Sequence, residues 1–306
     1  MVEADRARRV TVVEVGPRDG LQNEPTPIPT AVKVRFIEAL AAAGLSVVEA
    51  TSFVNPNAVP QLADADAVMR SIRRRLGVRY VALVPNAKGL DRALAVGVDS
   101  IALFTAATDA FAQANVGASI AETFARFAPV VERARDAGCW LRGYVSVAFG
   151  CPYAGSVEPE AAVAVANRLF TLGCDEVSIA DTIGAATPES VTDLLSAAKS
   201  TLPLDRVALH FHDTAGLAID NVGAGLAGGV HVFDASAGGL GGCPFAPGAP
   251  GNLATERLLR ALSDSGWETG VDLAAVERAT ADLFAQGVRG PGLKVGNVAA
   301  TPMPER

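Results

Sequence analysis

Two of the three histidines in this chain stand in one short stretch, His210-Phe211-His212, at the end of the apolar run "RVALHF". Residues two apart on a strand face the same side, so both imidazoles can converge on one point. Two imidazoles converging at a strand end commonly ligate a metal; the alternative is a pair of satisfied core histidines. His231, inside another apolar run, is read as a core residue. Far upstream, "VEVGPRDGLQNE" (Val13 to Glu24) sets Arg18 beside Asp19 where an apolar run stops. A salt-bridged turn is the plain reading, and two working groups delivered to a strand end is the other. One carboxylate with two imidazoles, completed by an amide oxygen, makes an N/O donor set without thiolate. That set suits Mg2+ or Mn2+ with open positions for substrate oxygens, whereas structural zinc would require a closed tetrahedron. Last, Cys243 lies in "GGLGGCPFAPGAPGN" (Gly238 to Asn252). Its flanking glycines let the loop pass close to a ligand, and a thiol in such a loop is placed for proton transfer. Cys139 and Cys174 are read as inert and buried.

The elements that must position these groups follow from hydrophobic periodicity. Short β-branched runs begin at Thr11, Ser46, Arg79, Ser100, Trp140, Glu176, Arg206 and His231. Between and after them, helical periodicity predicts helices over 31–43, 61–75, 88–96, 120–137, 160–172, 189–201, 218–227 and 253–265. Thr187-Pro188-Glu189 is a helix start, with Thr187 as cap and Pro188 in the first turn. Gly44, Gly97, Gly138, Gly173 and Gly229 are helix stops. Strand then helix, eight times in roughly 260 residues, predicts a TIM (β/α)8 barrel. The competing doubly wound sheet would want GxGxxG after its first strand, and "GPRDG" is not that. One barrel domain over 1–306 is expected, with an extra helix over 271–286 and a Gly/Pro-rich tail making up 270–306. In such a barrel, chemistry gathers at strand carboxyl ends. Those positions hold Arg18 and Asp19, then Glu49, Tyr144 and Ser146, Asp181, the two histidines, and the glycine loop.

Composition narrows the function classes. The 306 residues are half hydrophobic and carry a net charge of −7 with no long basic block, which argues against nucleic acid. No apolar run approaches the roughly 20 residues needed to span a bilayer. No apolar core of a secretory signal is visible in "MVEADRARRV". Four cysteines without a CxxC pair point to neither a disulfide framework nor structural zinc, so a reducing cytoplasm is expected.

Five stretches carry a resemblance: "VEVGPRDGLQNE", "VVEATSFVNP", "ADTIGAATP", "HFHDTAG" and "GGLGGCPFAPGAPGNLATE". Together they resemble the 3-hydroxy-3-methylglutaryl-CoA lyases, within the metal-dependent barrel lyases and Claisen-type synthases. The resemblance implies that Asp19, His210, His212 and Asn252 ligate the divalent ion. It implies that Arg18 steadies an enolate oxygen and that Glu49 and Asp181 belong to the polar network around the substrate hydroxyl. Cys243 would be a general acid/base, and Glu256 would brace the loop. The implied substrate is an acyl-CoA, cleaved to acetoacetate and acetyl-CoA, with His210 or Asp181 as the hydroxyl's base. Barrel lyases of this kind often pair, so a homodimer is the expected assembly. Pro25 and Pro27 stand where the family more often has a lysine, and the tail lacks the extra cysteine and the peroxisomal ending of animal members. Thiol-linked dimer regulation and organelle import are therefore not expected.

Rival readings are distinguishable. An isopropylmalate- or homocitrate-type synthase shares the Arg-Asp and His-x-His framework but lacks the cysteine loop and usually continues much further. A lyase for a longer-branched 3-hydroxyglutaryl-CoA differs only in pocket shape. A metallohydrolase barrel needs more histidines than this chain has, and a non-catalytic barrel gives no reason for Arg18, Asp19 and Cys243 together.

Overall fold

The computed structural model describes residues 8–242 and 251–288. Eight parallel strands close into a barrel in sequential order, β1 pairing with both β2 and β8. They are β1 (Thr11–Glu14), β2 (Val47–Ser52), β3 (Arg79–Leu83), β4 (Ser100–Ala106), β5 (Trp140–Ser146), β6 (Glu176–Asp181), β7 (Val207–Phe211) and β8 (Val232–Ala235). The helices are α1 (Thr30–Ala42), α2 (Ala65–Ser71), α3 (Ala87–Ala95), α4 (Asp109–Val116), α5 (Ile120–Asp136), α6 (Pro159–Leu172), α7 (Pro188–Ala198), α8 (Ala218–Ala227), α9 (Thr255–Asp264) and α10 (Leu273–Ala285). The expected TIM barrel is the observed fold. No helix among the described residues is long and apolar enough to cross a membrane.

Strand parity sorts side chains into two cores. Val12, Leu141, Val145, Ile179, Leu209 and Phe233 face outward and join the large layer under the helices. Val13, Val15, Val47, Val81, Leu83, Ala102 and Tyr144 face inward and form a small apolar core of their own. Interspersed with this core are inward-facing polar positions, Glu49, Arg142, Ser178, His210 and Asp234, all buried.

Local sequence explains most helix boundaries. Thr187 accepts the Ser190 N–H at the start of α7, with Pro188 next, as read from sequence. Ser119 and Glu122 cap α5 reciprocally. The five glycine stops all take positive φ, from +71° at Gly97 to +121° at Gly173. Two expectations need correction. The helix predicted over 61–75 is only α2, because Pro60–Leu62 winds as a separate 3-10 turn and the chain extends at Ile72. An unpredicted helix, α4, follows β4; Thr108 caps it, and its short, weakly amphipathic sequence gave no clear period. The expected extra helix is α10, which packs against α1 and α9; residues 289–306 of the tail lie outside the described residues. His231 precedes β8 half-buried and lies against Trp267 rather than within the barrel core.

Glu14 locks the barrel's closing seam from outside. Its Oε1 accepts the N–H groups of Gly16 (2.8 Å) and Ala237 (2.9 Å), and its Oε2 accepts the Thr255 hydroxyl (2.7 Å). It therefore ties the turn after β1 to the loop after β8 and the start of α9. Burial pushes its carboxyl from 4.5 up to about 7, against the hydrogen bonds that favour the ionised form. The folded chain therefore holds this proton more tightly than the unfolded chain. Its contribution to stability is full in acid and is lost as pH rises through about 7. The difference corresponds to about 3 kcal/mol. Glu14→Gln mimics the protonated carboxyl, so the variant should gain stability relative to the parent between pH 5 and pH 8 in thermal unfolding. A gap between the two that is the same at both pH values would contradict this.

Candidate active site

Past β1 the chain winds one wide turn over Gly16–Gly20, in which the N–H groups of Arg18, Asp19 and Gly20 all point at the Val15 carbonyl (3.2, 2.7 and 3.4 Å). That turn aims Arg18 and Asp19 into the barrel mouth. Arg18 Nε and Nη2 reach one oxygen of Glu49 on β2 at 2.8 and 2.7 Å. Its Nη1 meets Asp19 Oδ1 at 2.6 Å. A guanidinium has five N–H donors, so one N–H remains on each terminal nitrogen. Asp19 Oδ2 accepts the Asn252 amide at 2.8 Å, and Oδ1 also accepts from Gln22 at 2.9 Å.

His210 lies on β7, and His212 stands one residue beyond its end, bridged to Asn252. The rings tilt together with centroids 5.3 Å apart. Ligand-capable atoms of Asp19, His210 and His212 all lie within 4.8 Å of one another. The backbone behind Asn252 needs glycine twice. A Cβ on Gly251 would meet the Gly241 carbonyl oxygen at 2.0 Å, and one on Gly241, at φ +101°, would meet the Asn252 amide nitrogen at 2.5 Å. The two ends of the glycine loop can therefore cross against Asp19.

Two buried atoms here have no hydrogen-bond partner, His212 Nδ1 and Asn252 Oδ1. Buried polar atoms are normally satisfied, so an amide oxygen and an imidazole left open beside a carboxylate fit a hard divalent cation. Burial pushes Asp19 up, but the charges of Arg18 and His210 outweigh it and hold the carboxyl below its ordinary range. Burial lowers His210, but the hydrogen bond and charge of Asp234 raise it overall. Burial and the His210 charge take His212 down to about 4, leaving it neutral. Burial raises Glu49 against the pull of Arg18.

A cavity of about 460 Å³ opens over these groups. Arg18, Asp19, His210, His212 and Gly242 form its polar wall; Leu83, Phe104, Phe111 and Tyr144 are among its apolar residues. Glu49 does not line it and instead holds Arg18 from behind. Asp181 does not line it either: its oxygens accept the N–H groups of Ala185 (2.8 Å) and Ala186 (3.0 Å), and burial lifts it to about 6. The next residue, Thr182, does line the cavity and takes the Val147 N–H at 2.8 Å. Buried, β-branched Val147 has φ +53°, a strained conformation next to the cavity-lining Ser146. Cys243 lies outside the described residues. Cys139, Cys151 and Cys174 are buried free thiols, and burial pushes Cys174 up to about 12. Glu256 accepts the Gly238 N–H (2.9 Å) and the Thr280 hydroxyl (2.6 Å) at the base of the loop after β8.

Sequence reasoning missed Glu14, Arg142 and Asp234. Each interrupts an otherwise apolar strand with a charge, and that interruption was the available signal.

Comparison with known proteins agrees with this architecture. The HMGL-like family model matches residues 9–283. The hydroxymethylglutaryl-CoA lyase of Pseudomonas mevalonii is 50% identical over 277 residues, 90% of this chain and 92% of that one. A Pseudomonas aeruginosa protein named 3-hydroxy-3-isohexenylglutaryl-CoA/hydroxy-methylglutaryl-CoA lyase is 49% identical over 88% of this chain and 90% of its own. An HMG-CoA lyase from Acinetobacter baumannii, solved with coenzyme A and 3-methylmalate, superposes with a TM-score of 0.88 at 37% identity, covering 97% of this chain and 99% of that one. With the match spanning barrel and site alike, the chain belongs to the HMGL-like family.

Proposed function

We propose that this protein is a divalent-metal-dependent carbon–carbon lyase that cleaves (S)-3-hydroxy-3-methylglutaryl-CoA to acetoacetate and acetyl-CoA. The observation that carries the reading is the convergence of Asp19, His210 and His212 at the cavity where Arg18 keeps free N–H donors. Relatives named as hydroxymethylglutaryl-CoA lyases over nine-tenths of the chain support it. Coenzyme A in the Acinetobacter relative supports an acyl-CoA substrate. Buried free thiols support a reducing, cytoplasmic setting.

Asp19, His210, His212 and the open amide oxygen of Asn252 would hold the ion, Mg2+ or Mn2+ by donor chemistry. A bound ion supplies Lewis acidity that lowers the cost of deprotonating the substrate's tertiary hydroxyl. As that O–H electron pair becomes the ketone of acetoacetate, the C2–C3 bond breaks and its electrons pass to the thioester as an enolate. Arg18, always charged and held by Glu49 and Asp19, meets the enolate oxygen with its remaining N–H groups. Of the two groups read from sequence as acceptors of the hydroxyl proton, His210 lines the cavity, whereas Asp181 is engaged by the Ala185 and Ala186 N–H groups. The enolate carbon takes its proton from Cys243, whose neighbour Gly242 lines the cavity. A longer-branched 3-hydroxyglutaryl thioester is a second reading, supported by the apolar wall of Phe104 and Phe111 and by the name of the P. aeruginosa relative.

Incubation with 3-hydroxy-3-methylglutaryl-CoA should release acetoacetate, chelation should abolish that release, and added Mg2+ or Mn2+ should restore it. Turnover that survives exhaustive metal removal would refute the metal-dependent reading. Arg18→Gln should cut kcat on the order of 10²–10³-fold with Mn2+ affinity little changed, and near-parental kcat would exclude the role given to Arg18. Cys243→Ser should depress turnover far more than Cys174→Ser, and equal losses would remove the thiol from the mechanism.

A further inference from the structure

Below the candidate metal site, a buried ionic relay crosses the barrel interior. Arg142 on β5 is fully buried and reaches the opposite side, where its Nη2 donates to Asp234 Oδ1 on β8 at 2.6 Å. Its Nη1 donates to the Tyr144 hydroxyl at 2.9 Å, and its Nε pairs with Glu176 at 2.9 Å. The second Asp234 oxygen accepts the Ser178 hydroxyl at 2.9 Å and lies 3.3 Å from His210 Nδ1. His210 and Asp234 are direct partners in the β7–β8 register, so the strands themselves set this approach.

Such a relay is a poor way to gain stability. Replacing a buried ion pair by well-packed apolar residues is often neutral or stabilising. What it supplies is a fixed orientation. Asp234, ion-paired with Arg142, is a carboxylate that can only accept, so the nitrogen facing it must donate.

We propose that Asp234, fixed by Arg142 and Ser178, is a positioning residue for metal capture: it holds the Nδ1–H of His210 and leaves Nε2 as the nitrogen presented to the ion. This rests on the reading of His210 as a metal ligand. A ligating imidazole with its second nitrogen held by a carboxylate is fixed in both tautomer and ring orientation, and losing such a partner typically costs 10–100-fold in metal affinity.

The test is Mn2+ titration of chelator-stripped protein, followed by electron paramagnetic resonance, on the parent, Asp234→Asn and His210→Ala. Asp234→Asn should weaken Mn2+ binding 10–100-fold, and binding within about twofold of the parent would overturn the positioning role. If instead the parent takes up no Mn2+, or His210→Ala binds as the parent does, the ligand reading itself fails. Should Asp234→Asn not fold, the unaltered Mg2+-loaded protein answers the question through 15N NMR of its imidazoles, simplified by there being only three histidines. His210 should carry its proton on Nδ1 and show an unprotonated Nε2 whose resonance shifts on Mg2+ loading, a shift that a relay with no role at the ion would not give. An unprotonated Nδ1 would overturn the proposal.

Discussion

Closure of the barrel between β8 and β1 is the constraint on which the rest of the structure depends. Asp19 follows the first strand and the two histidines follow the seventh, so nearly two hundred residues of chain separate them in sequence. Only the β1–β8 pairing, from Thr11 against Val232 to Glu14 against Ala235, brings the turn after β1 alongside β7. Glu14 then pins that turn to the loop after β8, and Asn252 extends from this loop to both Asp19 and the His212 backbone. The ligand groups thus meet because a sheet has no free edge.

Electrostatics inside the mouth are arranged in opposed pairs. Arg18 lies between Glu49 and Asp19, and Arg142 lies between Asp234 and Glu176. Each guanidinium opposes the burial that pushes its carboxyl partners up. The upper pair still keeps N–H donors for charge that develops in the cavity. In the lower group Arg142 and Asp234 are fully buried, and Asp234 faces the back of His210. One barrel thereby carries two ion-paired layers with different tasks, the upper one facing the cavity and the lower one facing His210.

Much of this was legible in the sequence, because the code for a (β/α)8 barrel is repetitive. Eight β-branched runs, glycine stops and the Thr187-Pro188 helix start each follow from local backbone preference, and the structure has them where the pattern places them. The chemistry of Asp19, His210 and His212 was legible because histidine is scarce and the strand period fixes a common face. Residues acting through others were not. Asp234 and Arg142 meet across the barrel, 92 residues apart in sequence, and no local period links them. Asp181 stands at a strand end, yet its oxygens serve the turn that follows it. Strand parity gives a side chain its face but not its partner.

The central claim is that a single divalent ion binds where β1, β7 and the loop after β8 converge. Crystals soaked in Mn2+ and measured at the manganese absorption edge test it most directly. The account predicts one strong anomalous peak within coordination distance of Asp19, His210, His212 and the Asn252 amide oxygen. A mouth without a peak, or a dominant peak elsewhere on the molecule, would contradict it.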